Sequence, residues 1–193
     1  MRSRQGGRWA LLLIALFHGA CFSQEKIRTC GACHGPDGNS TTPGIPSIAG
    51  QPKLFMENQL VLFREGIRKS PVMVPQMQGV SDQEIIQMAE HFSRAPARSV
   101  ASGVTDKKLA AQGRALAGKL RCGECHLRDF GGQKQMPRLA GQREDYLEAE
   151  MRAYRANQRP DTTMAGVLYG VTDEEIRALA HFLARSESKP RRR

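Results

Sequence analysis

The sequence predicts an all-α fold made of two copies of one small domain. Three observations indicate this fold. The motif Cys-x-x-Cys-His occurs at 30–34 and again at 122–126, the segments around it repeat at an offset of 91 residues, and no run of alternating β-branched residues competes with the helical patterns. A chain of 193 residues is long enough for two such domains.

The N-terminus carries the three-part pattern of a secretory signal peptide, which we assign to residues 1–23. Three arginines precede the apolar run WALLLIALFHGA, and a polar segment begins at Ser23. The run is too short to cross a bilayer, so we expect a soluble mature protein that is exported to an oxidising compartment. Cys21 could end a lipoprotein cleavage box, but His18 stands where an apolar residue is expected, which favours a protein without lipid.

Composition and charge divide the rest of the chain. We predict a first domain at 24–95, a linker rich in small polar residues at 96–104, a second domain at 105–187 and a basic tail at 188–193. The net charge of the chain is +10, and the tail KPRRR contributes four of these charges. A short basic tail lacks the broad basic face with interleaved aromatic residues that nucleic-acid binding requires, so we exclude nucleic acid as a partner.

Each copy of the repeat predicts the same series of helices. PSIAGQ (46–51) corresponds to PRLAGQ (137–142), and an amphipathic segment follows each. SDQE (81–84) and TDEE (172–175) both fit the capping box that starts a helix. The apolar residues of these helices recur at helical spacing, and we assign them to the core.

The two copies differ before the cysteine motif. A helix beginning at Thr105 or Asp106 leads to the second motif, whereas only about six mature residues precede Cys30. The first domain therefore has a shortened leading helix, and we expect its site to be less firmly packed. His91 and His181 occupy positions that are not equivalent in the repeat, so we expect them to have surface or packing roles.

Three chemistries that use paired cysteines fit poorly. A structural zinc site needs a second pair of ligands some 12 to 20 residues away, and neither half of the chain supplies one. A thioredoxin-like redox pair expects a βαβ setting, which is absent from the pattern. Iron–sulfur clusters prefer four cysteines at clustered spacings, and an exported chain is an unfavourable place for them.

Covalent attachment of haem c explains every feature of the motif. Cys30 and Cys33, and likewise Cys122 and Cys125, would add to the vinyl groups of a haem, and His34 and His126 would bind the two irons as proximal ligands. The sequence thus predicts two haem c groups.

The sixth iron ligand is predicted from the repeat. Met73 and Met164 are equivalent at the offset of 91 residues and lie 39 and 38 residues after the histidines of their motifs. Met77 remains the alternative to Met73, since MVPQM contains both methionines. Ligation by histidine and methionine raises the reduction potential and leaves no open position for a substrate.

These residues resemble the dihaem cytochromes c of the cytochrome c4 type. The resemblance rests on CGACHGPDGNS, PSIAGQ, the loop methionine and SDQEIIQMAEHF, followed by a second copy, and it covers essentially the whole mature chain. It implies two cytochrome c domains packed about a pseudo-twofold axis with their haems near each other. It also implies that the carbonyl oxygens of Pro46 and Pro137 accept the N–H of the proximal imidazoles.

The same resemblance implies a periplasmic electron carrier. Its partners would be redox proteins, with a quinol-oxidising complex or a dehydrogenase as donor and a terminal oxidase as acceptor, and family members are often associated with the membrane. Two differences stand out in this chain: the second motif continues with LRDFGGQKQM in place of the glycine-rich loop of the first, and the basic tail is an addition. The two haem edges should therefore differ in exposure and in potential.

Two further functions stay open at this point. The chain resembles the cytochrome subunit of flavocytochrome c sulfide dehydrogenase in its duplicated architecture, so it could be a tightly held subunit of a dehydrogenase. A dihaem enzyme such as a peroxidase or a thiosulfate dehydrogenase is disfavoured, because each half has a methionine for the sixth position. We therefore assign no catalytic residue.

Overall fold

The computed structural model describes residues 24–101 and 103–189. The predicted signal peptide, including Cys21, and the last four residues of the tail lie outside the described residues. No helix in the described ranges combines the length and the apolar character that a membrane crossing requires.

The described residues are helical, as predicted from the sequence. The helices are α1 (24–34), α2 (Lys53–Arg64), α3 (Met73–Met77), α4 (Asp82–Arg94), α5 (Lys107–Lys119), α6 (Cys122–His126), α7 (Glu144–Arg155), α8 (Thr162–Val167) and α9 (Asp173–Ala184). Within these ranges, β structure is limited to one isolated bridge between Gln133 and Met136. We use "first domain" for α1–α4 and "second domain" for α5–α9.

Each domain has its own hydrophobic core beneath its last helix. In the first domain α2 packs on α4, and in the second α5 and α7 both pack on α9. The buried residues of the two last helices correspond in the repeat and include Ile85, Met88 and Phe92 of α4 and Ile176, Leu179 and Leu183 of α9. Both predicted capping boxes are present, at Ser81 and at Thr172.

The leading helix of the second domain crosses α9 at unusually close range. A Cβ atom placed on Gly113 would lie 2.0 Å from the carbonyl oxygen of Ala178 and 2.7 Å from Cβ of Phe182. Only glycine allows the two backbones to approach this closely. At the offset of 92 residues that relates the two motifs, the position equivalent to Gly113 in the first domain is residue 21, which lies outside the described residues.

The two histidines outside the motifs have different surroundings. His91 is exposed on α4, whereas His181 is buried in α9. Nε2 of His181 accepts the Asp106 N–H at 3.1 Å, so Nδ1 carries the proton that it donates to Glu144 Oε1 at 3.0 Å. His181 therefore joins the starts of α5 and α7 to α9.

The PSIAGQ and PRLAGQ loops form a reciprocal contact between the domains. Ser47 N–H donates to Gln142 Oε1 and Gln142 Nε2 donates to the Ser47 carbonyl oxygen, both at 2.8 Å. In the opposite direction, Arg138 N–H donates to Gln51 Oε1 at 2.9 Å and Gln51 Nε2 donates to the Arg138 carbonyl oxygen at 3.0 Å. Because Ser47 and Gln51 correspond to Arg138 and Gln142, the two sets of bonds have the form of a pseudo-twofold interface.

A second reciprocal contact is the interdomain arginine cluster, formed by Gln59, Arg68, Glu150 and Arg159. Arg68 Nη1 and Arg159 Nη2 both donate to Gln59 Oε1 at 2.7 Å. Glu150 pairs with both arginines, through Oε1 to Arg68 at 3.0 Å and through Oε2 to Arg159. Both arginine side chains are buried, and each guanidinium carbon lies 4.5 Å from the centre of an aromatic ring, Phe63 for Arg68 and Tyr154 for Arg159.

Candidate functional site

The four motif cysteines lie on helices with the same arrangement in both domains. Cys30 and Cys122 are partly buried, whereas Cys33 and Cys125 are exposed, and none of the four takes part in a disulfide bond. Burial raises the pKa of the Cys30 and Cys122 thiols. Reactive redox cysteines have lowered pKa values, so Cys30 and Cys122 lack this feature of a nucleophilic redox thiol.

The motif histidines are buried and oriented by a backbone carbonyl. His34 Nδ1 lies 2.8 Å from the carbonyl oxygen of Pro46, and His126 Nδ1 lies 2.9 Å from that of Pro137. Since a carbonyl oxygen can only accept, Nδ1 carries the proton in each ring and the lone pair remains on Nε2. Burial lowers the pKa of both histidines, which keeps the imidazoles neutral.

The candidate methionines are held by equivalent contacts. Met73 begins α3, and its N–H donates to Ser70 Oγ at 3.0 Å. Met164 lies in α8, and its N–H donates to Asp161 Oδ1, also at 3.0 Å. Ser70 and Asp161 are themselves equivalent at the offset of 91 residues, so both domains position this methionine in the same way.

Met77 occupies a different environment from Met73. It is 3% exposed and belongs to the core of the first domain, and its equivalent in the second domain is Leu168, which is 2% exposed in the corresponding core. A leucine cannot bind iron, so the position is a packing position in the second domain. Met73 and Met164 instead lie at the edges of these clusters, partly buried.

The donor set fits a haem better than a bare metal ion. In each domain the first motif cysteine and the candidate methionine pack against one hydrophobic cluster, Cys30 and Met73 in the first domain and Cys122 and Met164 in the second. Among residues 24–101 and 103–189, no three side chains of His, Cys, Asp or Glu converge as metal ligands. The zinc alternative therefore has no site in this part of the chain.

The pattern of motifs did not predict the interdomain residues. Gln51 and Gln142 end the two related loops, and the presence of glutamine in both copies could have indicated a shared role. Nothing in the repeat, however, indicates that each glutamine binds the other domain. Arg68 and Arg159 were likewise overlooked, although they are equivalent at the same offset of 91 residues.

Two all-helical domains that each present a Cys-x-x-Cys-His motif beside a methionine define a c-type cytochrome. A family model described as cytochrome c matches residues 110–187. The chain is 31% identical to cytochrome c4 of Thiocapsa roseopersicina over 167 residues, which cover 80% of this chain and 85% of that protein. It belongs to the cytochrome c4 family, whose haem c groups are bound covalently, here through Cys30 and Cys33 and through Cys122 and Cys125.

Two further similarities bear on the fold and on the role. The crystal structure of reduced recombinant cytochrome c4 from Pseudomonas stutzeri superposes with a TM-score of 0.78 at 31% identity, covering 86% of this chain and 97% of that one. A protein of Stutzerimonas stutzeri strain A1501 named thiosulfate dehydrogenase electron acceptor is 31% identical over 80% of this chain and 77% of its own length. These similarities identify an electron-transfer cytochrome with two cytochrome c domains.

Proposed function

We propose that this protein is a periplasmic dihaem carrier that moves single electrons between two redox proteins and has no substrate chemistry of its own. The observation that supports this proposal is the equivalence of its two sites. Both domains combine a buried neutral histidine with a methionine held by the same type of contact. A histidine and a methionine on each iron would suit electron transfer and would leave no place for a substrate to bind the metal.

The residues of each site have separate roles in this proposal. His34 and His126 would bind the two irons through Nε2, because the carbonyls of Pro46 and Pro137 hold Nδ1 of each ring. Met73 and Met164 supply the sixth ligands, while Met77 contributes to the core. When bound, haem c supplies the one-electron couple, and the chain around it sets the potential through ligand identity, hydrogen bonding and burial.

The partners follow from the chemistry of a carrier. A dehydrogenase or a quinol-oxidising complex would donate electrons, and a terminal oxidase would accept them. The similarity to a protein named as the electron acceptor of thiosulfate dehydrogenase supports a dehydrogenase as donor. The same observation favours a second candidate function, a cytochrome subunit held tightly by a dehydrogenase such as flavocytochrome c sulfide dehydrogenase; purification of the protein without a flavoprotein would favour the free carrier.

A redox titration of the purified holoprotein, followed by absorption spectroscopy, tests the proposal. We expect two haems per chain, both low-spin, and two one-electron transitions with the absorption band that marks a methionine on ferric iron. One haem per chain in a haemochrome assay would contradict it. Rapid cyanide binding to one ferric haem, together with turnover of peroxide or thiosulfate, would indicate an enzyme instead.

A pair of variants separates the two candidate methionines of the first domain. Met73→Ala should remove the methionine band from one haem, whereas Met77→Ala should keep both bands, because Met77 packs where the second domain has Leu168. Met164→Ala is the matched variant for the second haem. If Met77→Ala loses the methionine band of one haem and Met73→Ala keeps both bands, Met77 is the ligand.

A further inference from the structure

Two peptide groups link each motif histidine to the opposite domain. The carbonyl oxygen of Pro46 and the N–H of Ser47 belong to one peptide group, and so do the carbonyl oxygen of Pro137 and the N–H of Arg138. In both groups the carbonyl faces a motif histidine of its own domain, and the N–H faces a glutamine of the other domain.

The distances of the first link are short throughout. His34 Nδ1 lies 2.8 Å from the Pro46 oxygen, and the Ser47 N–H donates to Gln142 Oε1 at 2.8 Å. Gln142 Nε2 also donates to the Ser47 carbonyl oxygen at 2.8 Å, so the glutamine binds both the backbone N–H and the backbone carbonyl of Ser47. Ser47 is 1% exposed and Gln142 is 3% exposed.

The second link repeats the first with the domains exchanged. His126 Nδ1 lies 2.9 Å from the Pro137 oxygen, and the Arg138 N–H donates to Gln51 Oε1 at 2.9 Å. Gln51 Nε2 completes the pair at 3.0 Å from the Arg138 carbonyl oxygen. Arg138 and Gln51 are also buried, so water does not compete with these bonds.

Hydrogen bonds in such a chain polarise one another. A peptide whose N–H donates a strong bond has a more negative carbonyl oxygen, which in turn accepts a stronger bond from the imidazole N–H. A stronger bond at Nδ1 raises the basicity of the imidazole as a ligand, and a more basic ligand favours ferric over ferrous iron. Such a chain would let the glutamine at its far end influence the iron of the other domain.

We propose that Gln51 and Gln142 are positioning residues that tune the reduction potential of the haem in the opposite domain. Gln142 acts on the first haem through the Pro46–Ser47 peptide, and Gln51 acts on the second through the Pro137–Arg138 peptide. The proposal rests on the proposed function, because it requires His34 and His126 as iron ligands. Its distinctive consequence is a crossed effect, in which a change in one domain alters the potential of the other.

The two links are unequal in one respect. Gln142 Oε1 also accepts the N–H of the next residue, Arg143, at 2.9 Å, so this oxygen is shared between two donors. Gln51 is followed by Pro52, which has no N–H to donate. Gln51 Oε1 therefore does not share its acceptor capacity with the N–H of the following residue, as Gln142 Oε1 does. We expect the larger effect on the second haem for this reason.

Replacing each glutamine by methionine tests the proposal, because methionine has a similar length and shape but makes no comparable hydrogen bonds. Gln112→Met, at an exposed position on α5, is the matched control. Haem content and axial-ligand spectra are measured first on the wild-type protein. A wild-type protein without two haems ligated by histidine and methionine would contradict the proposed function. It would not contradict the hydrogen-bonded connection between each glutamine and the histidine of the other domain.

The potentials and the imidazole N–H resonances then give the result. Gln142→Met should favour the ferrous form of the first haem by up to about twofold at a fixed potential, because a neighbouring hydrogen bond strengthens another by about 10–30%, with a clearly smaller change at the second haem. In the ¹⁵N-labelled reduced protein, the Nδ1–H resonance of His34 should move to higher field while that of His126 stays in place. Gln51→Met should produce the converse.

Three outcomes would overturn the proposal. These are an effect on the haem of the substituted domain only, equal effects on both haems, and an effect no larger than that of Gln112→Met. If either methionine variant fails to accumulate with two haems, Gln142→Asn or Gln51→Asn takes its place. Asparagine keeps the amide but is one methylene too short to reach across the interface, so the same crossed shift is expected.

Discussion

The loops that follow the two motif histidines have the same backbone shape but different sequences. In the first domain Gly35 and Gly38 adopt positive φ angles of 85° and 78°. In the second domain the corresponding residues are Leu127 and Phe130, with φ angles of 68° and 54°. A left-handed backbone is costly for residues with a side chain, so the second loop keeps this shape at the expense of strain.

Packing explains why the second loop tolerates one of these residues better than the other. The carbonyl oxygen of Phe130 accepts the N–H groups of Leu139 and Ala140, and its ring contacts Phe182 edge to face with 5.6 Å between centres. Leu127 is 37% exposed and has less packing to offset its backbone. A duplicated fold can thus be kept by glycine in one copy and by side-chain contacts in the other.

The largest expected effect concerns α5, the leading helix of the second domain. Gly113→Ala should destabilise the second domain by more than about 3 kcal/mol, because the new methyl group would overlap the Ala178 carbonyl on α9. Gly118→Ala on the same helix meets no atom within 4 Å and should instead stabilise by up to about 1 kcal/mol. Denaturant unfolding of the two variants checks the opposite signs; equal effects would contradict the close crossing.

The next effect tests whether the two cores are equivalent. Met77→Ala and Leu168→Ala should each reduce the free energy of unfolding by about 3 kcal/mol, since both side chains are buried at matching positions. Differential scanning calorimetry that resolves the two domains can measure both losses. A negligible loss for Met77→Ala would mean that this methionine does not pack in the core.

A smaller effect is expected in the interdomain arginine cluster. Glu150→Gln should weaken the contact between the domains by about 2 kcal/mol, because an amide has one acceptor oxygen where Glu150 uses two, and both arginines are then left without a carboxylate. Gln59→Glu, the reverse exchange at the equivalent position, should strengthen the contact. Hydrogen exchange at the Ser47 and Arg138 amides measures the change, and acceleration in both variants would refute the charge argument.

The smallest effect is a gain in stability. Leu127→Gly should stabilise the second domain by about 1 kcal/mol, because glycine relieves the left-handed backbone and little packing is lost at this exposed position. Gly35→Leu is the converse variant in the first domain, where a Cβ would lie 2.6 Å from the Asn39 carbonyl oxygen. Thermal unfolding that shows a loss for Leu127→Gly would mean that its side chain contributes more than its backbone costs.

The sequence predicted what depends on local pattern and on the repeat. The helices that start at Ser81 and Thr172 follow from their capping boxes, and the equivalence of Met73 and Met164 follows from spacing alone. The left-handed backbone at Leu127 was not predicted, because neither leucine nor its neighbours indicate such a turn. The partner of Gln51 was also hidden, since a repeat shows which residues correspond but not whether they contact their own copy or the other.

The charges of the interdomain arginine cluster also bear on whether two copies of the same domain, from two different chains, could pair with each other. Its reciprocal geometry is that of a symmetric dimer, so two copies of one domain could make the same contact in principle. Two first domains would bring together a pair of Arg68 guanidinium groups with only Gln59 amides between them. Two second domains would match a pair of Arg159 groups with two Glu150 carboxylates, so the charges of this cluster would oppose pairing of two first domains but not pairing of two second domains.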